Sequence, residues 1–578
     1  MKKRMLCLML AAIMLMSTAV FAEGETDNTA QPEQTAETAN ESAPLIDVDA
    51  TPMPIEEGEV MEEELDVSGA FQFGGFSGEQ LSVNFDQNAV SLCAEDDETA
   101  DDGTITQAKR IAIFSRLQNA IINLEPNVDI SDLNINYDGV NGSNVTGIQT
   151  LVITVLNSVP QSFVCPNGNK YEHVSKDGYD KITKIILKIN PDAASMVAAY
   201  NAEKEAALNA IFSNGTDGLS KTEIALAVHD YIALHTRYDY NFENVNIYNA
   251  YGALVNGIAV CQGYALLYKD LLNTLGVKCY MVGYSSDSLN HAWNLVETEY
   301  GWYNVDVTWD DSGISDITGD KDYMGYCLHD YFMKIDNDIK QDHFPDGTPS
   351  IYVFDETIYT VSETHPNTAF WSNIIGGMQY YNSAWYYNDT GRWGYPLTDG
   401  TTCLYMMGDI CSTPYGTTRQ GTKVASNAGA FALVNGKLIY AQFNGSYTDK
   451  IVRYDIASGT TETLLEIDGS TVVTEFAAGR LNVANKIYGR NTIAYAIISG
   501  GVKDTTVYKL MLDAAGDVNL DGSVDIVDLW LVCNHIMKGN VLTGTGLGKA
   551  DMNGDGVVTV SDAVLICNAI AGVDDNEA

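Results

Sequence analysis

Apolar positions in this chain fall into three successive textures. Between about 104 and 276 most recur at three- and four-residue spacing, interrupted by short alternating runs. That spacing predicts helices over 106–122 and 193–213, one through IALAVHDYIALHTRYDY, and one over 261–275 closing at Gly276. Ser220, with Glu223 three residues on, is a capping signal for the third of these. TLVITVLNS and KITKIILKIN are rich in β-branched residues and are expected as strands, as are CYMVGY, HAWNLVE and WYNVDVTW. Residues 103–215 therefore read as an α+β lead-in and 216–349 as an α+β core. From 350 to 512 the chain changes to short strands such as KLIYAQFN, separated by Gly, Asn and Asp turns. This β-rich region fits a sandwich or an incomplete propeller. A duplicated segment with two apolar helices occupies 513–573.

The amino-terminal end is different again. MKKRMLCLMLAAIMLMSTAVFA has a basic start, an apolar stretch and small residues before Ala22, the pattern of a secretory signal peptide over 1–22. No later run reaches the roughly 18 apolar residues of a membrane span, so the expected product is secreted and extracellular. Residues 23–102 are expected to be an acidic disordered linker, with 23–64 rich in Glu, Thr, Pro and Ala. An inhibitory arm across a cleft is the alternative role for 23–102.

Charge narrows the partners. With 77 acidic against 32 basic residues the formal net charge is −45, which argues against nucleic acid, whose phosphates call for Lys and Arg. Nine of the ten cysteines lie beyond the leader and show no dense spacing, so a disulfide-stapled scaffold is not expected. An odd number leaves room for a free thiol, and Cys403 with Cys411 is one conceivable pair.

Three residues carry candidate chemistry. Cys261 opens an apolar-periodic helix, where unpaired amides and the helix dipole favour a thiolate. His291 and Asp306 follow on two strands joined by TEYG at 298–301. If that turn sets the register, His291 faces Thr308, and Asp306 sits diagonally on the same face about 7–8 Å away, within side-chain reach. A one-residue slip would separate them. A nucleophile, a base and the residue that orients the base are thus available. Gly263 keeps the first helical turn slim, for a substrate backbone or for helix packing. His329 and His343, with Asp336 and Asp342, suggest a metal site less well than a structural stretch. His229 and His235 read as ordinary amphipathic positions.

HTRYDYNFENVNIYNAYGALVNGIAVCQGYALLYKDLLNTLGVKCYMVGY, NHAWNLV and GWYNVDVTWDD resemble the core of the transglutaminase-like, papain-like cysteine superfamily over about 220–345. The resemblance implies a cysteine-bearing helix packed on an antiparallel sheet, with Cys261 as nucleophile, His291 as general base and Asp306 as its orienter. Members include peptidases, amidases, protein cross-linkers and inactive forms. The expected activity is acyl transfer at protein or peptide amide bonds with no catalytic cofactor, hydrolysis ahead of cross-linking. The Cys261 amide is an expected oxyanion donor; no second donor is assigned, since Gln262 faces away in a regular helix and Asn256 or Tyr251 would reach only if the loop between folds back. A non-catalytic adhesion or structural subunit is the reading from another class. No carboxylate pair can be assigned to glycoside hydrolysis.

The terminal duplication carries metal chemistry. Asp517, Asn519, Asp521, the Ser523 carbonyl and Asp528 occupy positions 1, 3, 5, 7 and 12 of a loop, with Gly522 at position 6. Asp551, Asn553, Asp555, the Val557 carbonyl and Asp562 repeat the plan around Gly556. Hard oxygen ligands at this spacing are a calcium loop, although Asp stands at the last position where sensor loops have Glu. The segment 516–572 resembles a type I dockerin. That resemblance implies a small all-α module ordered by two structural calcium ions, binding a cohesin on a scaffoldin in a cellulosome. Polysaccharide catabolism follows only by association. Together these features predict a multidomain chain: α+β transglutaminase-like core, β-rich accessory region and dockerin.

Overall fold

The computed structural model describes residues 59–65 and, with short gaps, 102–571. The expected leader, most of the acidic segment, and Asp517, Asn519, Asp521, Ser523 and Asp555 lie outside the described residues. The chain forms two compact units, one within Met53–Leu510 and one within Met511–Ala578. Lead-in, core and β-rich region all fall in the first. Among the described residues no helix is long and apolar enough to cross a membrane.

The lead-in begins with β1 (Glu59–Glu64), inside the segment expected to be disordered. β1 is an edge strand against β4 (Lys170–Lys176), and Glu63 accepts from Tyr137 and Tyr171, which hold its carboxyl below the usual range. Composition alone hid this strand, because its acidic side chains project from a sheet edge rather than into a core. β5 (Tyr179–Ile186) continues the sheet, followed by β2 (Asn127–Asp129), with β3 (Ile135–Asn136) also on β5. The helices α1 (Gln107–Asn123), α2 (Ser143–Ser158) and α3 (Ala193–Ile211) complete the lead-in.

TLVITVLNS, expected as a strand, is the second half of α2. Its run of apolar residues is buried on most sides of the helix, so neither period shows clearly. The start signal came from an indirect cap: Asp138 accepts from the Asn144 amide at 2.8 Å and the Ser143 hydroxyl at 3.1 Å.

In the core, α4 (Lys221–His235) starts with the expected capping box between Ser220 and Glu223. Two short strands, β6 (Arg237–Tyr238) and β7 (Ile258–Ala259), pair in parallel around α5 (Ala250–Leu254) and deliver the chain into α6 (Cys261–Thr274). α6 ends as predicted, with Gly276 at φ 77°. It packs on a four-stranded antiparallel sheet in which β8 (Cys279–Ser285) lies between β9 (Asn290–Thr298) and β11 (Ser350–Tyr352), and β10 (Gly301–Val305) flanks β9. Asn294 on β9 donates to the Ala265 carbonyl on α6 at 2.9 Å, fastening strand to helix. One continuous apolar core joins the lead-in, α4, α6 and the sheet.

Gly263 has the packing role. A Cβ there would lie 2.6 Å from the Ile247 carbonyl oxygen and 2.7 Å from the Ala259 Cβ, so the first turn of α6 rests directly on its own chain. Gly263→Ala is expected to cost about 1–3 kcal/mol through forced backbone displacement. Urea denaturation checks this, and an unchanged midpoint would contradict the tight packing.

The β-rich region pairs seven consecutive strands in chain order, from Gln379–Tyr381 to Thr461–Glu466. Pairing runs on where a propeller blade would close after four strands. Strands within 471–511 make a separate four-stranded sheet. Cys403 and Cys411 share one strand (Thr402–Thr413), about 26 Å apart at ~3.3 Å per residue, so they do not pair.

The second unit holds α9 (Ile526–Lys538), α10 (Gly544–Ala550) and α11 (Val560–Ala571). Val518, Leu529, Val532, Ala563 and Ile566 belong to a core of its own.

Candidate active site and metal loops

The expected turn places Gly301 opposite Thr298, and the register of β9 and β10 follows from it. The strand stops earlier than expected. At Asp306 the chain leaves the sheet and turns into α7 (Val307–Asp310), so Thr308 never faces His291. Asp306 is the N-cap of that turn, its Oδ1 accepting from the Thr308 amide at 2.9 Å and the Trp309 amide at 3.3 Å. Capping fixes the carboxylate, and Oδ2 receives the His291 Nε2 at 2.6 Å. The predicted His–Asp contact is therefore made, by a capped turn instead of a diagonal strand pair.

Cys261 sits at the first helical position of α6, where its amide has no acceptor within the helix. Its sulfur lies near enough to His291 to raise that imidazole's pKa. With Nε2 engaged by Asp306, Nδ1 is the ring nitrogen left for the thiol. Burial disfavours the His291 cation, but Asp306 and the Cys261 sulfur outweigh it and raise the imidazole pKa to about 9. Asp306 is also fully buried, which opposes ionisation, yet His291 and the other donors hold its carboxyl well below the usual range. Cys261 is 0 % exposed. Burial, followed by the charge of the Cys261 sulfur, raises the Tyr238 and Tyr248 phenols. Gln262 faces away, donating to Asn157 at 3.0 Å.

A second imidazole on Asp306 was not legible in the sequence. His343, the last residue of α8 (Asp336–His343), brings Nε2 to the same Oδ2 at 2.9 Å, while its Nδ1 meets Asp342 at 2.7 Å. Burial opposes its protonation, and the two carboxylates raise its pKa regardless. Its ring packs against Trp309 and Trp293. The signal available was only the pair Asp342–His343 at a helix end, some 37 residues from Asp306. The metal set of His329, His343, Asp336 and Asp342 is not assembled: Asp336 accepts from Asn304, and His329 meets Asp230. Nor is His229 an ordinary amphipathic position. It is buried between Asp230 and Asp310, whereas His235 stacks on Tyr231.

In the terminal unit two of the expected ligands of the second loop, Asp551 and Asp562, are drawn onto its backbone amides. Asp551 accepts from the Gly554 and Gly556 amides at 2.9 and 2.8 Å, with Gly556 at φ 82°. Asp562 is buried and accepts from the Met552 and Thr559 amides, both at 2.8 Å. Of the first loop, Asp528 is buried and accepts from the Val518 amide at 2.7 Å. Two carboxylates folded onto one short loop, one of them buried with no basic side chain among its bonds, fit a hard divalent cation. Asn553 and the Val557 carbonyl lie on the same loop.

Comparison with known proteins matches two segments of the chain. The Transglutaminase-like superfamily model matches residues 207–307, and the Dockerin type I domain model matches residues 515–571. No curated protein matches the chain. Among solved structures, one titled "Crystal structure of a TGase" is 16% identical over 24% of this chain and 44% of that one, with a TM-score of 0.17. The likeness thus spans less than half of that protein's length. This chain joins a transglutaminase-like core to a C-terminal type I dockerin.

Proposed function

We propose that the protein is a secreted cysteine enzyme that transfers acyl groups from protein or peptide amides, carried on a cellulosome through its dockerin. The observation that supports this best is the buried contact of His291 with Asp306 at 2.6 Å beside the Cys261 thiol. His291 Nδ1 takes the proton from Sγ, and the thiolate adds to the amide carbonyl. The Cys261 amide faces the developing oxyanion, with Tyr238 and Tyr248 as further donors. Collapse expels the amine, which receives its proton from His291, and leaves a thioester on Cys261. Water then releases the acyl group. An amine acceptor, and hence cross-linking, is the second reading, favoured by the full burial of Cys261 and by Trp309 and Trp293 packed on His291. The proposed subdivision is 103–215, 216–349, 350–512 and 513–573, following a leader and an acidic linker.

In the dockerin, calcium would be held by Asp551, Asn553, Asp555, Val557 and Asp562, and by their counterparts Asp517, Asn519, Asp521, Ser523 and Asp528. It would neutralise the gathered carboxylates. Ile526, Trp530 and Met537 lie within about 40° of each other around α9 and are exposed, Trp530 by 62%. They are the proposed cohesin-facing residues.

Alkylation of Cys261 across pH, followed by peptide mass spectrometry, tests the site without a known substrate. Labelling near neutral pH that falls at least about tenfold in His291→Ala would support an activated pair and lead to an amide screen with and without added amines. Slow labelling, unaltered by the substitution, would instead mean an idle triad and favour a binding role.

A further inference from the structure

A second polar cluster lies behind the active site, and the proposed reaction does not use it. It gathers His229 and Asp230 from α4, Asp310 from the end of α7, and Cys327 and His329 from the segment that follows. All five are buried, His329 the least so at 6% exposure. Asp230 Oδ1 lies 2.7 Å from His229 Nδ1, 3.1 Å from His329 Nε2 and 3.8 Å from Cys327 Sγ, and Sγ is 4.0 Å from His229 Nδ1. The four ligand atoms all lie within 4.8 Å of one another.

Each imidazole is also held from behind. His229 Nε2 faces Asp310 Oδ2 at 3.2 Å, and His329 Nδ1 faces the Ile374 carbonyl at 3.2 Å. With a metal bound, those partners would hold a proton on the outer nitrogen of each ring and leave the inner one, Nδ1 of His229 and Nε2 of His329, as the ligating lone pair; without it, both inner nitrogens face the Asp230 carboxylate as donors. Asp310 is itself fixed by the Tyr331 amide at 2.9 Å. A carboxylate or a carbonyl behind each metal-binding histidine is the usual supporting arrangement of a zinc site.

We propose that His229 Nδ1, Asp230 Oδ1, Cys327 Sγ and His329 Nε2 form a tetrahedral site for a borderline divalent metal, zinc above all. Ligands at about 2.0–2.3 Å from a zinc ion stand roughly 3.3–3.7 Å apart in a tetrahedron, and the measured separations of 2.7–4.0 Å bracket that range. One thiolate, two imidazoles and one carboxylate suit zinc better than calcium or magnesium. Four protein ligands leave no open position, so the role is structural. On binding, the Cys327 thiol releases its proton to solvent and the S–metal bond takes its place.

The site would tie α4 to the turn that carries the orienting acid. Asp306 donates its amide to the Tyr331 carbonyl at 3.1 Å and accepts the Asp310 amide at 3.2 Å, so its position depends on the segments the metal would clamp. The competing arrangement is a metal-free ion-pair network, with a protonated His229 bridging Asp230 and Asp310.

The test uses the full-length protein produced with zinc and dialysed against excess calcium, which keeps zinc out of the dockerin loops. Elemental analysis is expected to find one tightly held zinc per chain. Replacement of that zinc by cobalt should give the intense visible bands of a tetrahedral site and a thiolate-to-cobalt absorption. Cys327→Ser should remove the thiolate absorption, and Cys261→Ala should leave it. Less than about 0.1 zinc per chain in folded wild type, together with no tetrahedral cobalt spectrum, would establish the ion-pair network and overturn the proposal. So would a thiolate band lost in Cys261→Ala but kept in Cys327→Ser. The wild-type spectrum decides the matter even if Cys327→Ser fails to fold.

Discussion

Asp306→Ala is expected to slow alkylation of Cys261 and to lower turnover by about 10²–10⁴-fold, more than any other single change outside Cys261 and His291. Two imidazoles share Asp306 Oδ2, at 2.6 Å for His291 and 2.9 Å for His343. Removing the carboxylate leaves His291 without its acidic partner in a buried site and His343 with Asp342 alone, and the fold should lose about 3–5 kcal/mol as well. The pH dependence should change in a defined direction. The folded His291 pKa of about 9 lies above the unfolded value near 6.5. Its pairing therefore stabilises the fold fully below about pH 6.5 and is lost as pH rises toward 9. In Asp306→Ala only the Cys261 sulfur is left to oppose burial, so the imidazole pKa should fall and that alkaline loss should shrink. His343→Gln separates the two rings. It keeps a donor near Asp306, so alkylation should fall by less than about tenfold while the pH profile moves. Equal losses in Asp306→Ala and His343→Gln would place His343 in the proton path and refute a purely positioning role.

Removal of calcium should abolish cohesin binding and melt the terminal unit alone. Each unit has its own apolar core, so the loss of one need not propagate to the other. Calcium at about 1,000 times its dissociation constant contributes roughly 4 kcal/mol per site, a large share of what so small a helical module can hold. Calorimetry with calcium and then with EGTA should show one transition disappear while the major one keeps its midpoint. Asp551→Ala with Asp562→Ala should reproduce the EGTA result in the presence of calcium. A terminal unit that melts at the same temperature in EGTA would contradict the metal reading of these loops. Trp530→Ala, by contrast, should weaken cohesin binding and leave both transitions in place.

What could be read from the chain, and what could not, follows from how local each determinant is. Cys261 at a helix start, the Thr298–Gly301 turn and the Ser220–Glu223 cap are written within a few residues, and all three stand in the structure. The type I dockerin, too, was marked by local oxygen spacing. α2 escaped because burial on most of its surface erases the helical period, and β1 because its acidic composition outweighed its pairing. The continuation of β10 through Thr308 failed for a different reason: alternation extends past Val305, but the Asp306 side chain caps the next turn and ends the strand. His343 and the cluster around His229 are products of tertiary contact. Asp230 and His329 are 99 residues apart, and no single-sequence periodicity brings them together.

Full burial of Cys261 also bears on oxidative damage. The described cysteines at 165, 261, 279, 327 and 411 are free and buried, so these five thiols are kept out of contact with solvent oxidants. A thiol is converted to sulfenic acid in proportion to its thiolate character and its access. The resting protein should consequently survive peroxide exposure despite a base poised at the sulfur. Exposure during turnover, when the acyl donor must open a path to Cys261, should inactivate it faster, a sensitivity that falls only on molecules at work.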